Sequence, residues 1–212
     1  MKRDSSATRR PPSHPLAFAL FITRRHLWWA VGAITAVTFG EMMLGTLVIA
    51  LKNFVDAIAT VTTNGYAAVW WWGMFYPVAY FVMESIWRVS GFTGMQWITR
   101  TRATVHRILF SYLTRHSSTF FNERFAGALT NKIANAARGT SDILSAFLWE
   151  LYPLFIGFII QFFLAFIQNP WLGIILGVWV IIFLGINIAL VIRKQPYSYK
   201  AAETSSVLRG KM

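Results

Sequence analysis

The sequence predicts an all-α, polytopic membrane protein, and three observations carry that prediction. The chain of 212 residues is 56% hydrophobic and only 13% charged, about half the charged share of an ordinary soluble domain. Its mean hydropathy is +0.49. Four stretches are long and apolar enough to cross a bilayer, and the basic residues gather in alternate connections between them. The formal charge of +12 would suggest nucleic-acid binding in a soluble chain. Here the charge is interrupted by apolar runs, so no nucleic-acid partner is expected and the lipid bilayer is. There is no cysteine, which excludes disulfides, thiolate metal sites and cysteine nucleophiles.

Residues 1–14 read as a disordered basic tail, with Lys2, Arg3, Arg9, Arg10 and the Pro11-Pro12 pair. The start does not make a signal peptide, because Arg24, Arg25 and His26 follow the apolar run 16–22 with no small-residue cleavage site. Residues 15–212 form the membrane domain. Within it, 15–25 fits either a short interfacial helix or the start of the first span.

A helical crossing takes roughly 20 apolar residues, because lipid offers backbone amides no hydrogen-bond partner. The first span is 27–51, with Glu41 as its one charge. The second is 69–98, with Glu84 and Arg88 in its later half. The third is 143–167, carrying Glu150, and the fourth, 171–192, has no charge. Residues 100–138 hold seven Lys or Arg against the single acid Glu123, whereas 52–68 hold one Lys and one Asp. The positive-inside rule places both termini and the central basic segment in the cytoplasm, in a bacterial inner or plasma membrane. Trp28 and Trp29, Trp70 to Trp72, and Trp171 stand at span starts, where an apolar ring with one N–H donor favours the headgroup boundary. Asn169-Pro170 is a turn signal for a tight hairpin between the third and fourth spans.

The segment 99–142 is neither apolar enough to span nor loop-like. Val105, Ile108, Leu109 and Tyr112 recur at helical spacing, with Arg102, His106 and Arg107 largely off that stripe. No Gly or Pro falls between Met95 and Ala126, so the second span continues as a helix. One helix over 69–113 would be roughly 65–70 Å long at ~1.5 Å per residue. Residues 127–143 form the return arm, with Leu129, Ile133 and Ala136 on one face. The tip between the arms contains Thr119, Phe120, Phe121, Asn122, Glu123, Arg124, Phe125 and Gly127. Three phenylalanines at such a turn either form a contact surface or pack between the arms.

On these residues the sequence resembles the transmembrane domain of ABC exporters of the six-span type. The family's first coupling helix carries a Phe-Phe pair, an acidic or amide residue and a later Gly, then Leu and Ile/Leu positions. Phe120, Phe121, Asn122, Gly127, Leu129 and Ile133 stand in those places. Lys132 stands where an Arg is common, Asn135 matches the usual amide, and Ala136 departs from the family's Asp. Ala201-Ala202-Glu203 onward resembles the start of a second cytoplasmic extension. The resemblance implies that residues 119–125 and Gly127 couple to a nucleotide-binding domain, with ATP and Mg bound there and a second transmembrane subunit, identical or not. It implies six spans, and the chain offers no Gly-x-x-x-x-Gly-Lys-Ser/Thr loop. Gly210-Lys211-Met212 lacks the first Gly and the hydroxyl. A truncated or partial product is therefore expected, with no enzyme activity or cofactor of its own.

Ionisable groups inside lipid are costly and mark functional positions by default. Glu41, Glu84 and Gln161 are the candidate translocation-cavity residues, meeting a cationic or amphipathic substrate. The alternative is interhelical pairing; Glu84 and Arg88, spaced i, i+4, can pair on one helix face. Pro77 and Pro153 are expected to bend their helices. The four histidines show no metal-ligand spacing, and no nucleophile–base set or catalytic residue is visible. The rival to an exporter permease is a four-span scaffold that binds a cytoplasmic partner. A membrane enzyme would need a polar cluster at one face.

Overall fold

A computed structural model describes residues 14–114 and 126–209, and every described element is helical. The chain divides into two units, one up to Phe158 and one from Ile159 onward. The first begins with α1 (Pro15–Thr23), which passes through a 3₁₀ turn at Arg24–His26 into α2 (Leu27–Ala59). A short α3 (Val61–Asn64) and Gly65 turn the chain into α4 (Ala67–Leu113). Gly65 has φ 72 and ψ −177, a combination essentially open to glycine alone. The return arm is α5 (Ala126–Ala146), followed by a π-helical turn, Phe147–Leu151, and α6 (Tyr152–Gln168). The last helix is α7 (Pro170–Arg209).

Helix α4 is one uninterrupted helix of 47 residues, about 70 Å at ~1.5 Å per residue, as the gap in helix breakers predicts. It runs through Pro77. Small residues seat it against α2. A Cβ built on Gly40 would lie 3.1 Å from Trp87, one on Gly32 3.7 Å from Thr93, and one on Gly73 3.3 Å from Phe54. As the α2 number rises the α4 number falls, so the two helices form an antiparallel hairpin. Leu47, Ala79 and Met83 fill its far end.

The later half of α4 is shared with α5 and the π-helical turn that follows it. Gly94 meets Leu148 and Trp149, Trp97 and Leu144 share a core with Ala30, Ala33 and Val37, and Val105 meets Ala137. This second pairing is also antiparallel, and it carries the two arms past the apolar spans towards residues 115–125. The α4 face that makes it reads Ser90, Gly94, Trp97, Thr101 and Val105, all buried. Three and four residues are the steps between neighbours on one helix face, so this is a single stripe. Among the described residues, Ser90 Oγ and Thr101 Oγ1 of this stripe have no hydrogen-bond partner, nor has Trp97 Nε1. On α5 the buried place falls to Ala137, not Ala136, which is exposed. The stripe continues from Ile133 by a step of four to meet Val105. On the α4 arm, Val105, Ile108 and Leu109 join the core formed with α1, while Tyr112 is exposed.

Helix α1 runs through the 3₁₀ turn directly into α2. Its Ala19 and Ile22 are buried, with Ile22 against Val105 and Ala137. Its Leu16 and Leu20 remain exposed.

Beside Pro153 the helix widens. That residue has no N–H to return to the Trp149 carbonyl, and the turn before it, Phe147–Leu151, is π-helical. A missing i→i−4 bond is a recognised cause of such a local change.

In the second unit, α6 ends at an Asn169 cap. Asn169 Oδ1 accepts from Trp171 N–H at 3.0 Å, and the Asn169 carbonyl accepts from Leu172 N–H at 2.9 Å. Pro170 takes the first helical position, where no N–H is needed. Phe166 meets Gly173 and Phe162 meets Gly177, so the Asn-Pro turn makes the predicted tight hairpin. Beyond it, Trp179, Ile181, Ile186, Val191 and Ile192 of α7 are all exposed. A helix apolar on every face has no stable place in water.

Three helical stretches are long and apolar enough to cross a membrane: Leu16–Ala59, Leu129–Gln168 and Pro170–Lys194. They mark an integral membrane protein. The fourth expected span, at 69–98, is not among them. Its apolar stretch is diluted by Trp70 to Trp72, Tyr76, Pro77, Tyr80 and Glu84, residues that contribute little or negatively to hydropathy even where their rings suit lipid boundaries.

Candidate functional site

Glu41 and Glu84 belong to the first unit and Gln161 to the second. Glu84 is half-buried and Arg88 exposed, and they form no ion pair. Among the described residues the ion pair found is Lys52–Asp56, at 3.1 Å on the surface of α2. The i, i+4 spacing of Glu84 and Arg88 permits a bridge, yet Arg88 faces outward and leaves its partner. Gln161 is half-buried on α6.

Glu41 is the exception. It retains only 8% of its exposure and has no hydrogen-bond or ionic partner among the described residues. Its carboxylate lies directly on α6: a Cβ built on Gly157 would sit 2.6 Å from Glu41 Oε2. Glycine at 157 is what lets the carboxylate in. One turn earlier, Thr38 Oγ1 and Tyr152 Oη share a hydrogen bond of 2.7 Å, and Thr38 also donates to the Ile34 carbonyl at 2.8 Å. On α2 and α6, residue numbers rise together between these two contacts, so the helices run parallel here. The polar centre is therefore Glu41, Thr38 and Tyr152 around Gly157. Tyr152 and Gly157 were not singled out by sequence. They lie more than a hundred residues from their partners, and a lone Gly in an apolar span has many readings.

An apolar groove of about 570 Å³ lies between α2 and α4, lined by Thr35, Ala36, Phe39, Phe81 and Ser85 among others. Its hydroxyls are spent on their own helices: Thr35 donates to the Val31 carbonyl and Ser85 to the Phe81 carbonyl. At 100° per residue, Glu41 points away from the α2 face that lines this groove. The carboxylate and the groove are thus two features, not one site.

The coupling residues Thr119, Phe120, Phe121, Asn122, Glu123, Arg124 and Phe125 lie outside the described residues. Gly127 falls in the first turn of α5.

The comparisons with known proteins are blank: no family model, no curated protein and no solved structure matches the chain.

Proposed function

We propose that this chain is the membrane-embedded permease part of an ATP-driven exporter, in a bacterial inner membrane with both termini cytoplasmic. The observation that carries the reading is the pair of arms. Helices α4 and α5 stay packed together at Val105 and Ala137, well past the apolar spans, and both lead in sequence to the Phe-Phe segment. Such arms suit a protein that must deliver a distant rigid-body motion to a membrane cavity. A nucleotide-binding partner would supply ATP and Mg and hold the segment 119–125. A second transmembrane subunit would complete the pathway and cover the apolar faces of α7. In the assembled transporter, Phe120→Ala with Phe121→Ala is expected to keep ATP binding and lose coupled ATPase activity by roughly tenfold or more, as for a buried aromatic anchor. Coupling left intact would sink the assignment.

The reading needs α4 to cross the membrane despite its modest hydropathy. Its support is the hairpin: a helix laid antiparallel along most of a spanning helix traverses the same layer. The cysteine-free sequence allows a direct check. In intact cells, Thr62→Cys and Gln168→Cys are expected to react with a membrane-impermeant maleimide. Arg107→Cys should react only after permeabilisation. Labelling of Thr62→Cys and Arg107→Cys from one side would remove the fourth crossing.

A further inference from the structure

A second cluster stands at the basic end of the α2–α4 hairpin, and neither the arms nor Glu41 accounts for it. The 3₁₀ turn places Arg24, Arg25 and His26 in a row between α1 and α2. His26 Nε2 and Thr104 Oγ1 share a hydrogen bond of 2.9 Å that ties this turn to α4. The His26 ring also lies within the electrostatic reach of Arg100 and Arg25. The Arg100 guanidinium sits 4.7 Å above the Trp29 ring, and its Nε donates to Gln96 Oε1 at 3.2 Å. Arg25 lies over the Phe21 ring at 5.7 Å. Cationic groups are thus held by aromatic rings and an amide. Asp142 of α5 is exposed near the level of Arg100, but among the described residues no carboxylate forms an ion pair with Arg24 or Arg100.

The cluster's depth identifies what it meets. Trp28, 90% exposed, opens the apolar run of α2, so this level is a headgroup boundary. Exposed Leu16 and Leu20 on α1 offer apolar surface next to the basic turn. Cations beside apolar surface, at that depth, match a lipid with an anionic head and acyl tails. A planar guanidinium suits the phosphate oxygens, and the hydrogen bond to Thr104 fixes where the turn's cations stand.

We propose that Arg24 and Arg100 form a binding site for the phosphate head of an anionic phospholipid, positioned by His26, Trp29 and Thr104. The proposal rests on the membrane reading alone and is independent of any exporter activity. An arginine near an anionic surface is worth roughly a fivefold preference.

The full chain would be reconstituted in phosphatidylcholine mixed with phosphatidylglycerol, extracted, and its retained lipids weighed by native mass spectrometry. The wild type is expected to keep phosphatidylglycerol selectively. Arg24→Gln with Arg100→Gln should cut that selectivity about 25-fold, and Arg24→Gln alone, at an exposed turn, about fivefold. Lys52→Gln, at the other end of the hairpin, should leave it unchanged. The single variant decides the matter if the double variant does not fold. Selectivity unchanged by Arg24→Gln, or lost equally with Lys52→Gln, overturns the site. Displacement of the lipid by inorganic phosphate at matched concentration would overturn the lipid as its occupant.

Discussion

Gly94→Leu is expected to destabilise the folded chain by about 3 kcal/mol or more, whereas Gly91→Leu on the same helix should be close to neutral. At Gly94 a Cβ alone would lie 2.6 Å from Leu148 Cδ2 and 2.8 Å from Trp149 Cζ2. Trp149 is partly exposed and can swing aside, but Leu148 is fully buried and has nowhere to go. Overpacking a tight core costs about 1–3 kcal/mol for added methylenes, and a leucine adds four carbons. Against this stands the gain in helix propensity on replacing glycine, about 1 kcal/mol. Overpacking wins. At Gly91 a Cβ would meet nothing within 4 Å, so only the propensity gain remains. Thermal melting of the purified variants in one detergent checks the pair. Equal melting temperatures would mean that α4 and the π-helical turn Phe147–Leu151 do not meet in this register.

The second large effect concerns Glu41, and its two readouts move in opposite directions. Glu41→Leu removes an unpartnered acid from the middle of an apolar helix. An ionised residue there costs about 2.5–3.5 kcal/mol on insertion scales, so the variant should melt higher than the wild type. Glu41→Gln keeps the shape of the side chain and loses the charge. If the carboxylate meets cationic substrates, a lipophilic cation such as tetraphenylphosphonium should stabilise the wild type against heat. Breaking a buried charge contact costs about 2 kcal/mol or more, so the glutamine variant should need roughly thirtyfold more cation for the same shift. A shift that survives Glu41→Gln would leave the carboxylate without a part in recognition. The gain in stability on removing it would still stand. Sites kept at the expense of stability are characteristic of function.

These two predictions rest on residues that the sequence exposed to very different degrees. Helix extents were legible, because apolar runs, Asn169-Pro170 and the absence of breakers after Met95 act locally. The arm faces are legible to within one position: spacing marks Val105, Ile108 and Leu109, but it points to Ala136 where Ala137 is buried. A return arm rich in alanine leaves the rotation of its face to be set by its neighbour. The count of crossings was less secure, since the tryptophans and tyrosines of α4 weaken the hydropathy signal. Glu41 was visible as a charge out of place, whereas Gly157, Tyr152 and Gly94 were not. Their meaning depends on which helices meet and in which register, and no local pattern encodes that. The tie between His26 and Thr104 was hidden for the same reason. The Glu84–Arg88 pair failed because spacing permits a contact without requiring it.

The unbroken length of α4 has a mechanical consequence. Gly94, wedged against Leu148, stands near its midpoint: roughly 29 Å from Leu113 and roughly 32 Å from Gly73 at ~1.5 Å per residue. Holds also lie on either side of it: Phe54 meets Gly73, Trp87 meets Gly40, and His26 bonds Thr104. Contacts spread along both halves strap α4 to α2, so a sideways load on one rod is shared by the other along its length instead of turning about a point.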